Sequence, residues 1–227
     1  MQVPNVAVII PVYNEELVIR QVIQNVLKEF RYVICVNDGS IDKSAVEIAK
    51  TDAYLIEHPV NMGQGAALQT GAEFARQLPG VDYFVHFDAD GQHRIADVRA
   101  MLKQIQTGKY DIILGSRFLG GAVGLPRSKR FVLKLATKFT TLTSGLKLTD
   151  THNGLRVFNR TVAEGMQITM ADMAHASEIL DIIAEKHYRY KEIPVTIEYT
   201  DYSKSKGQSL VNAVNIGFDM LLKKVLK

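Results

Sequence analysis

The chain has 227 residues, 47 % of them hydrophobic, with 27 lysines and arginines against 24 aspartates and glutamates, a net charge of +3. It can bury a substantial core as one large domain or two small ones. The charge balance is too mild to argue for nucleic acid, and the single Cys35 excludes an intramolecular disulfide and fits a reducing compartment.

The N-terminal residues show no signal-peptide pattern, because Pro4, Asn5 and the pair Glu15-Glu16 flank the first apolar run. No stretch approaches the roughly 18 apolar residues of a spanning helix, so any membrane role is expected from the surface or through a partner.

Taken in chain order, Val6–Val12 reads as a strand and Glu15–Lys28 as a helix. Val33–Asn37 is a second strand, with Cys35 buried in it as an inert thiol. Ser40 or Asp42 can cap a helix over Lys43–Lys50. Ala53–Glu57 is a third strand, Gln64–Gln77 a helix, Val81–Phe87 a fourth strand, Asp97–Thr107 a helix closed by Gly108, and Asp111–Gly115 a fifth strand. Strands alternating with helices predict a mostly parallel, helix-covered α/β sheet. The second half is less regular. It offers helices over Pro126–Leu142, Thr161–Gln167, Ser177–Lys186 and Val211–Leu226, a short strand at Leu155–Phe158, and a strand at Ile193–Tyr199 that Pro194 demotes to a sheet edge. With no repeat and no linker, one domain over residues 1–227 is expected.

Ligands of such sheets bind at the carboxyl ends of the strands. Three polar clusters fall there: Tyr13-Asn14-Glu15, Asn37-Asp38-Gly39-Ser40 and Asp88-Ala89-Asp90. In the last, two carboxylates two residues apart face one side, and their oxygens suit a hard cation such as Mg²⁺ or Mn²⁺ gripping a diphosphate. An isolated Asp-x-Asp also suits a solvated turn. Asn61-Met62-Gly63-Gln64-Gly65 opens a helix with two glycines and can approach a phosphate or ribose, or pack tightly on the sheet. Arg117, ending the fifth strand, can pair with a phosphate or with a structural carboxylate. The six histidines show no zinc spacing; His93 lies near Asp90, and His58 carries no readable signal.

From Ile112 to Thr149 there is no acidic residue, while Arg117, Arg127, Lys129, Arg130, Lys134, Lys138 and Lys147 fall there. Basic residues alternate with apolar ones between Phe131 and Phe139. That suits a helix on anionic lipid or over a phosphate site, as well as an ordinary solvated face.

Together, Val8–Glu16, Val36–Ser40, Asn61–Gly65, Phe87–Gln92 and Gly115–Phe118 resemble, in order and spacing, glycosyltransferase family 2, the inverting enzymes of GT-A (Rossmann-like) fold. Asp150–Arg156 and Lys204–Ser209 are similar to segments of its dolichyl- and undecaprenyl-phosphate sugar synthases. The resemblance implies a nucleotide-sugar-binding half, 1–117, and an acceptor- and membrane-facing half, 118–227. Pro11, Tyr13, Glu15 and Asp38, with Gly65 nearby, would hold base and ribose. Asp88 and Asp90, with Gln92, would hold Mg²⁺ or Mn²⁺ and the donor diphosphate. Arg117, Arg130 and Arg156 would face the acceptor phosphate, and Lys204 would close a loop over the donor. Two positions depart from the family pattern: Lys204 stands where Arg is usual, and Leu210 where a final Lys is usual.

The reaction implied is inverting transfer of a sugar from a nucleotide donor to a polyprenyl phosphate, by a cytoplasmic protein peripheral on the inner face of the membrane. A small integral membrane protein as partner and a homo-oligomer are compatible with it. A phosphate monoester, with a second pKa of about 6, needs no strong base. The competing acceptor is a glycan hydroxyl, for example in rhamnosyl transfer. It would need a base near the anomeric carbon, for which Glu178 is the candidate; a helix first-turn acid is the other reading of that residue. A third reading is a non-catalytic sugar-nucleotide-binding subunit.

Overall fold

The computed structural model describes residues 3–123, 137, 141, 144–151, 153–170, 174–199 and 202. The helix expected over 211–226 and the residues Arg130 and Lys204 lie outside them, as does the helix expected over 126–142 apart from residues 137 and 141.

Seven strands form one sheet: β1 (Val3–Val12), β2 (Phe30–Asp38), β3 (Tyr54–His58), β4 (Tyr83–His86), β5 (Ile112–Val123), β6 (Arg156–Asn159) and β7 (Tyr190–Glu198). Their order is β3-β2-β1-β4-β6-β5-β7. All neighbours are parallel except at β6, which runs antiparallel between β4 and β5. Strands of both halves of the chain therefore share one sheet.

Alternation along β1 shows how the core is divided. Val6, Val8, Ile10 and Val12 point to one face and pack with α1 (Ile19–Leu27), α2 (Ser44–Ala49) and α4 (Ile95–Ile105). Ala7 and Ile9 point to the other, with α3 (Gln64–Gln77), α5 (Arg160–Gly165) and α6 (His175–Glu185). Period-two strands met by amphipathic helices on both faces give the three-layer arrangement. Gly71 lets α3 press on the sheet, since a β-carbon there would lie 2.4 Å from Ile9 Cγ2. Cys35 is fully buried, and burial pushes its thiol pKa up.

The boundaries move for local reasons. The first helix begins at Ile19 rather than Glu15, because the N–H groups of Glu15 and Glu16 are drawn to Ser44 Oγ and Asp42 Oδ2 across the loop. Ser40 does not cap α2; its hydroxyl accepts from Asn14 N at 2.9 Å. Strand β5 runs eight residues beyond Gly115, because β7 follows it past a register shift between Ser116 and Gly121. There Gly120 approaches the Val195 carbonyl so closely that a β-carbon would lie 2.3 Å away. Strand β7, with Pro194, ends the sheet as expected.

Candidate active site

The loops after β1, β2 and β4 meet on one rim. Those after β1 and β2 are zipped together: Asn14, at φ 55°, accepts from Ile41 N at 2.9 Å, and Lys43 N donates to Glu16 Oε2 at 2.9 Å. Tyr13 is left 45 % exposed at this rim.

Asp38 is buried and turns inward. Its Oδ1 accepts from Met62 N at 2.9 Å and lies 2.7 Å from His58 Nδ1; its Oδ2 accepts from Gly63 N at 2.8 Å. His58 is its register partner on β3, and the far ring nitrogen of that histidine meets Thr70 Oγ1 at 3.0 Å. The carboxylate thus organises the turn that starts α3, where Gly63 sits at φ 91°. Gly65 is buried in the first turn of that helix, and Gln64 Nε2 donates to Asp88 Oδ1 at 3.3 Å. The glycine-rich turn and the Asp-x-Asp segment are therefore in direct contact.

Beyond β4, Phe87 N bonds Ile9 O at 3.0 Å, which delivers Asp88 and Asp90 to the rim. Asp88 Oδ2 lies 2.8 Å from His93 Nε2, and 31 % of its side chain stays open. Burial works to raise the pKa of this carboxyl, but His93, Arg156 and His175 outweigh it and hold the value at about 2. Asp90 goes the other way. Burial first, then the charge of Asp88, raises it to about 6. Gly91, at φ 75°, turns the chain so that Gln92 donates both its backbone N–H, at 3.0 Å, and its side-chain amide to Asp90.

These residues fit a divalent cation. The donors are hard oxygens, and the burial and the repulsion that raise the Asp90 pKa are what a cation would offset. Among the described residues no three His, Cys, Asp or Glu side chains form a cage. A pair of carboxylates suffices for an ion whose remaining ligands are substrate phosphates and water.

An Asp-x-Asp pair and a nucleotide-type rim at the carboxyl ends of a mostly parallel sheet lead to one family, whose sequence profile, Glycosyl transferase family 2, matches residues 7–166. The chain belongs to glycosyltransferase family 2. This glycosyltransferase is 34 % identical to an uncharacterized protein of Methanocaldococcus jannaschii, over 96 % of this chain and 91 % of that one. It is 31 % identical to the UDP-N-acetylglucosamine–dolichyl-phosphate N-acetylglucosaminyltransferase of Methanococcus voltae, over 96 % of each chain. Its fold is that of the glucosyl-3-phosphoglycerate synthase of Mycobacterium tuberculosis, solved with Mn²⁺ and UDP-glucose. The TM-score is 0.70, the identity 15 %, and the coverage 96 % of this chain and 76 % of that one.

The other expected site residues of the glycosyltransferase are placed as follows. Pro11 lies in β1 opposite Val36. Arg117, 9 % exposed, donates through its backbone N and Nε to Asp150 Oδ2 at 3.0 and 2.6 Å, and through Nη1 to Tyr199 Oη at 2.8 Å. Of the two partners read for it from sequence, the structural carboxylate is the one it meets. Arg156 is buried on β6 opposite His86, in the fields of Asp88 and Asp150; its Nη1 and the Nδ2 of Asn153 have no hydrogen-bond partner among the described residues. Burial lowers the guanidinium pKa to about 10, still charged at neutral pH. Glu178, in the first turn of α6, accepts from the N–H groups of Thr169 and Met170 and from the Thr169 hydroxyl.

His58, which meets Asp38, and His175, whose charge acts on Asp88, carry no readable signal in the sequence; His93, expected at the site from its nearness to Asp90, bonds Asp88. Among the described residues no helix is long and apolar enough to cross a membrane.

Proposed function

We propose that this family 2 glycosyltransferase is inverting and metal-dependent, and moves a sugar from a nucleotide donor to a polyprenyl phosphate at the cytoplasmic face of a membrane. The observation that carries the donor half is the unequal carboxylate pair Asp88 and Asp90 at the strand ends. The acceptor half draws on the Methanococcus voltae relative, whose name specifies a dolichyl phosphate.

In this reading Asp88 and Asp90 hold Mg²⁺ or Mn²⁺, and Gln92 completes the clamp through Asp90. When bound, the ion neutralises charge developing on the departing nucleoside diphosphate. Pro11, Tyr13, Glu15 and Gly65 border the base and ribose, and Asp38 shapes the turn beside them. His93 and Arg156 keep Asp88 ionised for its task. Arg156 lends the acceptor side its positive charge, Arg117 braces that side through Asp150, and Arg130 and Lys204 take the roles the resemblance gives them, at the acceptor phosphate and over the donor. The acceptor phosphate oxygen attacks the anomeric carbon, the carbon–oxygen bond to the diphosphate breaks, and no proton need be removed by a strong base. The basic stretch between Arg117 and Lys147 meets anionic lipid.

The test is release of nucleoside diphosphate from a panel of sugar nucleotides, with Mn²⁺, in the presence and absence of polyprenyl phosphate. Release that depends on the lipid phosphate is expected; release indifferent to it contradicts the proposed acceptor.

A further inference from the structure

The chain leaving β7 is fastened to three other parts of the rim within five residues. Glu198 N donates to the carbonyl of Gln92, in the turn that carries Asp90, at 3.2 Å. The Tyr199 hydroxyl accepts from Arg117 on β5 at 2.8 Å. The Tyr202 hydroxyl donates to Glu15 Oε2, just past the end of β1, at 2.7 Å, across 187 positions of sequence. Glu15 is itself anchored through its backbone N to Ser44 Oγ at 2.7 Å.

This corner is acidic. Burial, together with Glu15, Asp42 and Asp90, pushes the Tyr202 phenol upward, so it stays a proton donor at neutral pH. The charge of Glu15 is also felt at Asp90. A glutamate side chain at the rim is free to sample several rotamers. A neutral donor on its carboxylate opposes that, and pinning the side chain in advance lowers the ordering cost of binding a ligand there.

We propose that Tyr202 is a positioning residue of the donor site: its hydroxyl holds the Glu15 carboxylate in place past the end of β1, on the rim that receives the donor's nucleoside diphosphate. This rests on the nucleotide-donor reading above and adds a residue from the far end of the chain to that site.

The test is calorimetric binding of UDP, GDP, CDP and dTDP with Mn²⁺ to wild type, Tyr202→Phe, Glu15→Ala and the double variant. Thermal unfolding in parallel checks that each variant is folded. Phenylalanine keeps the ring and removes only the hydroxyl. Tyr202→Phe is expected to weaken the preferred nucleotide by about tenfold, the worth of one hydrogen bond to a charged group. The double variant should bind no more weakly than Glu15→Ala, because the hydroxyl acts through that carboxylate. Unchanged affinity in Tyr202→Phe, or losses that simply multiply in the double variant, overturns the proposal and leaves the donor reading standing. Failure of wild type to bind any of the four overturns both.

Discussion

Gly154 stands so close to Asp88 that a β-carbon on it would lie 2.3 Å from Oδ2 and 2.7 Å from Cγ. The carboxylate cannot retreat freely, since His93 and Gln64 hold its two oxygens. The segment before β6 therefore forms a wall against the Asp88 carboxylate. Gly154→Ala should displace Asp88 and weaken Mn²⁺-supported nucleoside diphosphate binding by about tenfold or more, at an overpacking cost of about 1–3 kcal/mol. Calorimetry and chemical denaturation measure both. Wild-type binding would mean that Asp88 is not a ligand-side group.

Asp38 presents a different case, a carboxylate working on its own chain. Asp38→Ala leaves the Met62 N–H and His58 Nδ1 without their acceptor, and leaves the Gly63 N–H with Asn61 Oδ1 alone. A loss of about 2–4 kcal/mol in urea denaturation is expected, from buried donors stripped of partners. A change under about 0.5 kcal/mol, the range of an ordinary surface substitution, would return Asp38 to a purely ligand-facing role.

The pair Arg117 and Asp150 is buried, at 9 % and 1 % side-chain exposure. Removing one partner strands the other charge, so Arg117→Ala should cost about 3–5 kcal/mol. The double variant Arg117→Met with Asp150→Leu should recover much of that. If Arg117→Ala proves as stable as wild type while acceptor affinity collapses, Arg117 is a phosphate ligand and not a structural cation.

Glu178 separates the two acceptor classes. Its oxygens are occupied by Thr169 and Met170, and a phosphate nucleophile makes no demand on it. Glu178→Gln should lower transfer to polyprenyl phosphate by less than about tenfold, whereas loss of a true general base costs about 100- to 10,000-fold. Turnover of the variant decides between them, and a near-total loss would favour a hydroxyl acceptor.

Stability should also respond to acid through Asp111. Hydrogen bonds from Arg189, against an opposing effect of burial, hold its pKa below the usual carboxylate value. A depressed folded-state pKa contributes stability above the unfolded value of about 3.9, and that contribution is lost as pH falls through the folded-state value. Asp111→Asn should therefore melt below wild type at pH 7, with the gap closing on acidification. A gap unchanged at pH 2 would remove the charge from the explanation.

Much of this site was legible because α/β sheets put ligands at strand ends, and Glu15, Asp38, Asp88 and Asp90 each follow or close an apolar run. The partners of those residues were not. His58 meets Asp38 only because β3 pairs with β2 in the register that sets those two residues opposite. His93 reaches Asp88, not the nearer Asp90, because Gly91 turns the chain at positive φ. Strand β6 was foreseen as a short strand, but its antiparallel place between β4 and β5 depends on packing that no local pattern encodes. Tyr202 carries no signal of its own, since nothing near it in sequence points to Glu15.

The most direct test of the whole account is mass spectrometry of the lipid fraction after incubation of wild type and Asp90→Asn with a sugar-nucleotide panel, Mg²⁺ or Mn²⁺, and undecaprenyl or dolichyl phosphate. The account predicts a glycosylated polyprenyl phosphate with wild type, abolished by chelation and reduced at least about 100-fold in the variant. Sugar recovered on an added glycan acceptor with the polyprenyl phosphate unmodified, or equal product from both proteins after chelation, would contradict it.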